Sequence, residues 1–367
     1  MSDALAAATR TRTISLGEAI RDGLVEVAHR EPSVIFFAEG VADPTAVFGT
    51  LKGIGDAIGH KRMIEMPVAE NGLCGIAVGA ALAGKRPVIS FHRVEFALLA
   101  MEQIVNNAAK ISYISRGRHS VPIVLRLVVG RGWGQGPEHS QSLEAMFAYF
   151  PGLKVAMPTY PADTKGMIIA AVEDNNPVVL IEHRWCHYVQ GQVPDGYYRQ
   201  PLDGPRTIRR GRDVTLVATS YMVLEAMRAA EALAKLGVEA EVIDLRVLRP
   251  LNLAPVFESV RRTGRLLTVD TGFRTLGIGS EVVAEVSNQC FGALKAAPRR
   301  IGLPDHPLPS SRGFIAGAYP DSVRIMRVLG EMVGLPAERE AAAEAELIAQ
   351  RGDLPVDVPD PFFKGPF

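Results

Sequence analysis

Five short runs decide what this chain can fold into: SVIFFAE (33–39), RPVISF (86–91), VPIVLRLV (121–128), LKVAMP (153–158) and PVVLIEH (177–183). Each is almost continuously apolar, whereas a strand with one wet face alternates. Between them lie stretches of helical character, SLGEAIRDGLVEVAHR, NGLCGIAVGAALAG, EFALLAMEQIVNNAAKISYIS and PADTKGMIIAAVED. Apolar strands separated by helices predict a parallel sheet covered on both faces. The rhythm breaks across Tyr188–Arg212, which is rich in Gly, Pro and charge and reads as a linker. It resumes with DVTLVATS, a helix through MVLEAMRAAEALAKLG, the run VEAEVIDLRVL, a helix near LAPVFESVRRTG, then RLLTVD, GIGSEVVAEVSNQCFG and PRRIGLP. The expected organisation is α/β with two doubly wound domains, 1–200 and 201–340. A tail over 341–367 begins as a charged helix and ends Pro-rich.

A chain of 367 residues can bury two cores of this kind. Lys+Arg and Asp+Glu balance at 40 each, so net charge gives no case for nucleic acid or an anionic membrane as partner. Cys74, Cys186 and Cys290 are too few and too scattered for a disulfide framework or a zinc site, and a reduced, cytoplasmic setting is expected. The opening MSDALAAATRTRT lacks the apolar core of a signal peptide. The longest uncharged run, Asn71–Gly84, is too short for a bilayer, so no membrane association is expected.

Against that background Glu70 stands out. In MPVAENGLCG it lies between an apolar approach and a run of small residues, company that carboxylates avoid unless paired or used. The alternative is a carboxylate at a helix start, where the dipole favours negative charge. The loop GRGWGQGPEHSQS (130–142) follows a strand, where binding residues concentrate, and carries His139. A phosphate-cradle reading of its four glycines is weak, because no Lys-Ser/Thr follows and no GxGxxG opens a helix. His139 as a solvated loop histidine is the alternative. Serine hydrolysis finds no GxSxG, since Ser280 in GIGSEV has the wrong flanks. No HExxH occurs, and His183 and His187 have no partner cluster, so they read as packing or surface residues.

Taken in order, PVAENGLCGIAVGAALAGKRPVISF, EFALLAMEQIVNNAAK, VPIVLR and GPEHSQSLEAMFAYFPGLKVAMPTYPADTKGMIIAAVEDNNPVVLIEH form a longer pattern. It closely resembles the β subunit of thiamine-diphosphate-dependent 2-oxo acid dehydrogenases, the type shared by pyruvate, branched-chain and acetoin dehydrogenases. The resemblance runs from about Ile14 to Leu335. It implies a transketolase-like pyrimidine-binding domain followed by a transketolase C-terminal-like domain.

The same resemblance implies roles for individual residues. Glu70 falls on the glutamate that hydrogen-bonds the cofactor's pyrimidine N1' and promotes the imino tautomer needed to deprotonate the thiazolium. Phe96 falls on the aromatic packed against the pyrimidine, and His92 on the position whose backbone meets it. His139 falls on the histidine that faces substrate and the incoming lipoyl group. Ile123, Ala171, Val172, Asp174 and Asn176 fall on a site that holds potassium, although a plain helix end with an Asp is equally compatible.

The chain also departs from the family pattern. His92-Arg93-Val94-Glu95 replaces an uncharged stretch, and Arg131 and Trp133 stand where small residues are common. His92, Arg93 and Arg131 are therefore expected near the substrate. In the second domain VDTGFRTLGIGSEV replaces an acidic-glycine-tryptophan turn. The GDG that ligates the divalent metal at the diphosphate is absent, because PDGY, LDGP and RGDL all fail. The expectation is half a site, completed by an α-type subunit bearing Mg2+ and the diphosphate contacts in an α2β2 assembly, with a lipoyl acyltransferase downstream. A carboligase on the same scaffold is the alternative reaction, and a subunit that lost catalysis is the alternative from another class.

Overall fold

The computed structural model describes residues 10–41, 47–132, 134–355 and 357–363. A seven-stranded sheet runs in the order Val247–Arg249, Lys154–Ala156, Val178–His183, Val124–Val129, Arg86–Phe91, Val34–Ala38, Met63–Glu65. All its pairings are parallel except the first. Helices Leu16–Arg30 and Pro161–Glu173 cover one face, while Glu70–Leu82 and the helical stretch from Phe96 to Ile114 cover the other. That last stretch is not one α-helix: it passes from a 3-10 turn through a π-helical segment, Glu102–Ala108, into α-helix at Ala109–Ile114.

A five-stranded sheet follows in the order Arg299–Leu303, Leu266–Phe273, Val214–Ala218, Ala240–Asp244, Arg206–Arg209. The run VEAEVIDLRVL is therefore not one strand. It is divided at Arg246, whose φ of 51° no extended strand can adopt, and its second half crosses to the edge of the seven-stranded sheet. The linker reading of 188–212 also needs correction. Gln190–Pro194 pairs with Thr11–Ser15, and Arg206–Arg209 edges the second sheet.

Beneath the first sheet sits a charged core. Arg126 and Glu182, 2% and 1% exposed, meet through Nε–Oε1 at 2.6 Å and Nη2–Oε2 at 3.0 Å. Ser90 and Thr50 hydroxyls accept two further guanidinium protons at 3.0 and 2.8 Å. Burial alone would raise the Glu182 carboxyl, but the Arg126 charge and hydrogen bonds from His187 and Arg126 outweigh it and hold the carboxyl at about 2. Such a depressed carboxyl adds stability above the unfolded value of about 4.3 and loses it as pH falls toward 2. Glu182→Gln strands Arg126 without a counter-charge and is expected to cost about 3–5 kcal/mol at neutral pH. Denaturant titration at pH 7 and pH 3 checks this, since the penalty relative to wild type must shrink in acid.

Candidate active site

Four neighbouring parallel strands release their chains at the same sheet edge. Val34–Ala38 ends into Glu39, Met63–Glu65 leads to Glu70, Arg86–Phe91 leads to His92–Phe96, and Val124–Val129 leads to the loop 130–142. In open α/β sheets the crevice outside these carboxyl ends is where ligands bind. Glu70 opens the helix Glu70–Leu82 and is 5% exposed. Its place at the helix start is the one the alternative reading allows, but its burial is not that of a surface cap.

Across the crevice His92 Nδ1 lies 3.3 Å from Glu39 Oε2. Burial, then the neighbouring Glu70 charge, raises the Glu39 carboxyl, with His92 working in the opposite direction. The other oxygen, Glu39 Oε1, is buried without a hydrogen-bond partner among the described residues. A second histidine–carboxylate pair stands alongside: His139 Nδ1 and Glu95 Oε1 are 2.8 Å apart, and the His139 ring meets Phe96 edge-on at 5.5 Å between centroids. Burial raises the Glu95 carboxyl against the hydrogen bonds it receives. Its Oε2 is likewise buried without a partner. Glu39 and Glu95 were not picked out in the sequence. Each looks like an ordinary charge at a strand or loop end until the fold brings a histidine to it.

Arg93 and Arg131 do not face this crevice. Arg93 is buried and donates to the Gly130 carbonyl at 2.7 Å and to the Gln135 side chain, pinning the loop rather than reaching a substrate. Arg131 is fully buried, donates to the Pro309 and Ser310 carbonyls, and lies 3.6 Å from Asp357. Trp133 lies outside the described residues. The loop itself is folded inward, with the Gly132 amide donating to Gln135 Oε1 at 2.7 Å, so it offers no open phosphate cradle there. Gly130 is obligatory: its φ is +95°, and a Cβ would stand 2.6 Å from the His183 ring. His183 is a packed residue, stacked on Tyr221 at 5.6 Å and pushed down to about 3 by burial. His187 bonds Glu182. No group of three or more His, Cys, Asp or Glu able to hold a metal occurs among the described residues.

The potassium expectation does not fit. Arg86 Nη1 donates to the Val172 and Asp174 carbonyls at 2.9 and 3.0 Å, and its Nη2 to Asn175 Oδ1 at 2.6 Å. Lys154 engages the Asp174 carboxylate, which also accepts from the Asn176 amide. The Ile123 carbonyl accepts from Val178, and that of Ala171 from Asp174. The oxygens of Ile123, Ala171, Val172 and Asp174 that would coordinate a cation already serve protein cations and amides. Replacing K+ with Na+ at constant ionic strength is therefore expected to leave the melting temperature unchanged. Arg86→Ala is expected to lower it and to make it respond to K+. A melting curve of the parent protein that already depends on K+ would refute this.

Residues 12–186 match the family model described as transketolase, pyrimidine binding domain, and residues 205–325 match that described as transketolase, C-terminal domain. Over 309 residues, 82% of this chain and 91% of the relative, the sequence is 38% identical to the acetoin:2,6-dichlorophenolindophenol oxidoreductase subunit beta of Cupriavidus necator. It is 39% identical over 343 residues to the mitochondrial pyruvate dehydrogenase E1 component subunit beta of Drosophila melanogaster, covering 91% of this chain and 93% of that one. A solved split gene transketolase, described as an inactive beta4 tetramer, superposes with a TM-score of 0.65 at 24% identity. It covers 92% of this chain and 98% of its own, which shows a shared fold.

Proposed function

The chain belongs to the β subunits of the thiamine-diphosphate-dependent 2-oxo acid dehydrogenase family, and from that premise we propose that its crevice binds the pyrimidine half of the cofactor and serves decarboxylation of a 2-oxo acid with transfer of the acyl unit. The observation that carries the reading is the meeting of Glu70, Glu39–His92, Phe96 and His139–Glu95 at one sheet edge. The buried, unpartnered oxygens of Glu39 and Glu95 fit a site that awaits polar groups. When bound, thiamine diphosphate supplies the electron sink for decarboxylation. Glu70 holds and exchanges the proton at the pyrimidine N1', and Phe96 packs on the ring. Glu95 occupies Nδ1 of His139, which leaves Nε2 to exchange a proton with substrate or acceptor.

Several finer points belong to the same proposal. An α-type subunit supplies Mg2+ and the diphosphate contacts in an α2β2 assembly, the acyl unit passes to a lipoyl acyltransferase, and the setting is cytoplasmic. The unpaired state of all three cysteines suits a reducing compartment. The relatives named above are oxidoreductase and dehydrogenase subunits, so nothing in them favours carboligation. Reconstitution with an α-type chain, followed by turnover of pyruvate with dichlorophenolindophenol as electron acceptor, tests the reading. His139→Ala is expected to lower turnover by about 10²-fold or more at unchanged cofactor affinity. Loss of cofactor affinity with turnover of the bound cofactor intact would remove the role given to His139.

A further inference from the structure

The second family model ends at residue 325, yet the chain beyond the helix Ala337–Arg351 buries Asp357 and Asp360 against residues of both matched regions. Asp357 is fully buried, and so is Arg131 of the loop that carries His139; their charged atoms are 3.6 Å apart. Arg312 Nε also donates to Asp357, at 2.6 Å. A buried guanidinium without a counter-charge is strongly unfavourable, and Asp357, which Arg312 hydrogen-bonds through its other oxygen, is the carboxylate that lies beside Arg131. This explains an arginine at a loop position where small residues are common.

The tail is fastened near Asp357 as well. The Tyr221 hydroxyl donates to the Pro359 carbonyl at 3.2 Å, and Arg228 donates to Asp360 at 2.5 Å. Phe363 lies 5.2 Å beneath the Arg184 guanidinium, and Arg184 reaches Gln135 of the loop at 3.5 Å. Among the described residues of the loop, hydrogen bonds lead toward the crevice: Gln135 Oε1 accepts from Gly132, the Gln135 carbonyl accepts from Ser140 at 3.1 Å, and the Gly136 carbonyl accepts from the His139 amide at 3.2 Å.

We propose that the tail residues 357–363 are a strap that sets the conformation of the loop carrying His139, and that Asp357 is the positioning residue through which they act on it. Its effect on turnover rests on the function proposed above; its effect on the loop does not. A displacement of about 1 Å at a reacting group can cost on the order of 10²-fold in rate, so a strap remote from the crevice can matter to catalysis without touching substrate.

The test uses the full chain assembled with an α-type partner, comparing Asp357→Asn, Arg131→Met, the double variant, and a chain ending at Arg351. Hydrogen exchange of peptides from 130–142 is read against the helix Glu70–Leu82 as internal reference. Asp357→Asn and the shortened chain are expected to exchange about tenfold faster in the loop, with the reference helix unchanged. Turnover of pyruvate with dichlorophenolindophenol is expected to fall about tenfold at an unchanged cofactor saturation curve. The double variant leaves only the half-exposed Arg312 without Asp357 and no buried charge stranded, so it should recover most of both losses. Unchanged loop exchange in Asp357→Asn and in the shortened chain overturns the proposal, as does a double variant that sums the two single losses. If the parent enzyme does not turn over pyruvate, the functional reading loses support while loop exchange still decides the strap.

Discussion

Glu70→Gln is expected to lower turnover of the reconstituted enzyme by about 10²–10⁴-fold while the fold survives. The amide matches the carboxylate in size, so the packing around this 5%-exposed side chain is retained. What it removes is a group able to take up and return a proton. The cost to the fold is small by comparison: a carboxylate at a helix start interacts with the dipole by about 0.3–1 kcal/mol. That contrast separates a proton-handling residue from a helix cap, because a cap would lose a little stability and no rate. Steady-state turnover and a thermal melt of the same preparation provide both numbers. Near-normal turnover would return Glu70 to the helix.

The second large effect concerns the chain by itself. Its crevice offers a carboxylate, imidazoles and an aromatic ring, which suit a pyrimidine, but the sequence has no GDG and the described residues hold no metal cluster. A diphosphate cannot be left unpaired in a protein site, and Mg2+ requires oxygen ligands. Thiamine diphosphate with Mg2+ is therefore expected to show no stoichiometric binding to the isolated chain in calorimetry, and to bind once the α-type partner is added. The surface beside the crevice has the character of one that another chain covers. Val68 precedes Glu70, Ile76 lies on its helix and Leu99 follows Phe96, at 80%, 56% and 63% exposure. Tight binding by the isolated chain would refute the half-site argument.

Much of this could be seen in the residues because the relevant signals are local. The runs that became Arg86–Phe91 and Val178–His183 carry enough apolar side chains to be strands wherever they are placed. Glu70 was visible because a carboxylate among small apolar residues is anomalous within ten positions. The misses depended on distant partners. Glu95 and His139 are 44 positions apart, and Arg131 meets carbonyls almost 180 residues away. Arg131 looked available for substrate because nothing nearby in sequence neutralises it. Strands Gln190–Pro194 and Arg206–Arg209 are too polar to announce themselves, and exist because Thr11–Ser15 and Ala240–Asp244 present free edges to them. The supposed cation ligands have the right oxygens, but Arg86 arrives from the start of another strand and takes the carbonyls of Val172 and Asp174.

The crossing at Arg246 bears on how such a chain can be divided or recombined. Ala240–Asp244 lies inside one sheet and Val247–Arg249, only three residues on, closes the edge of the other. A gene cut between the two halves would deprive the first of its last strand and expose the backbone of Lys154–Ala156 as an open edge. Open edges recruit foreign strands, and the second half would carry a loose one of its own. Fragments made this way are primed to exchange strands or clump before they find each other. Grafting either half onto another scaffold must therefore carry residues 247–249 along with the first.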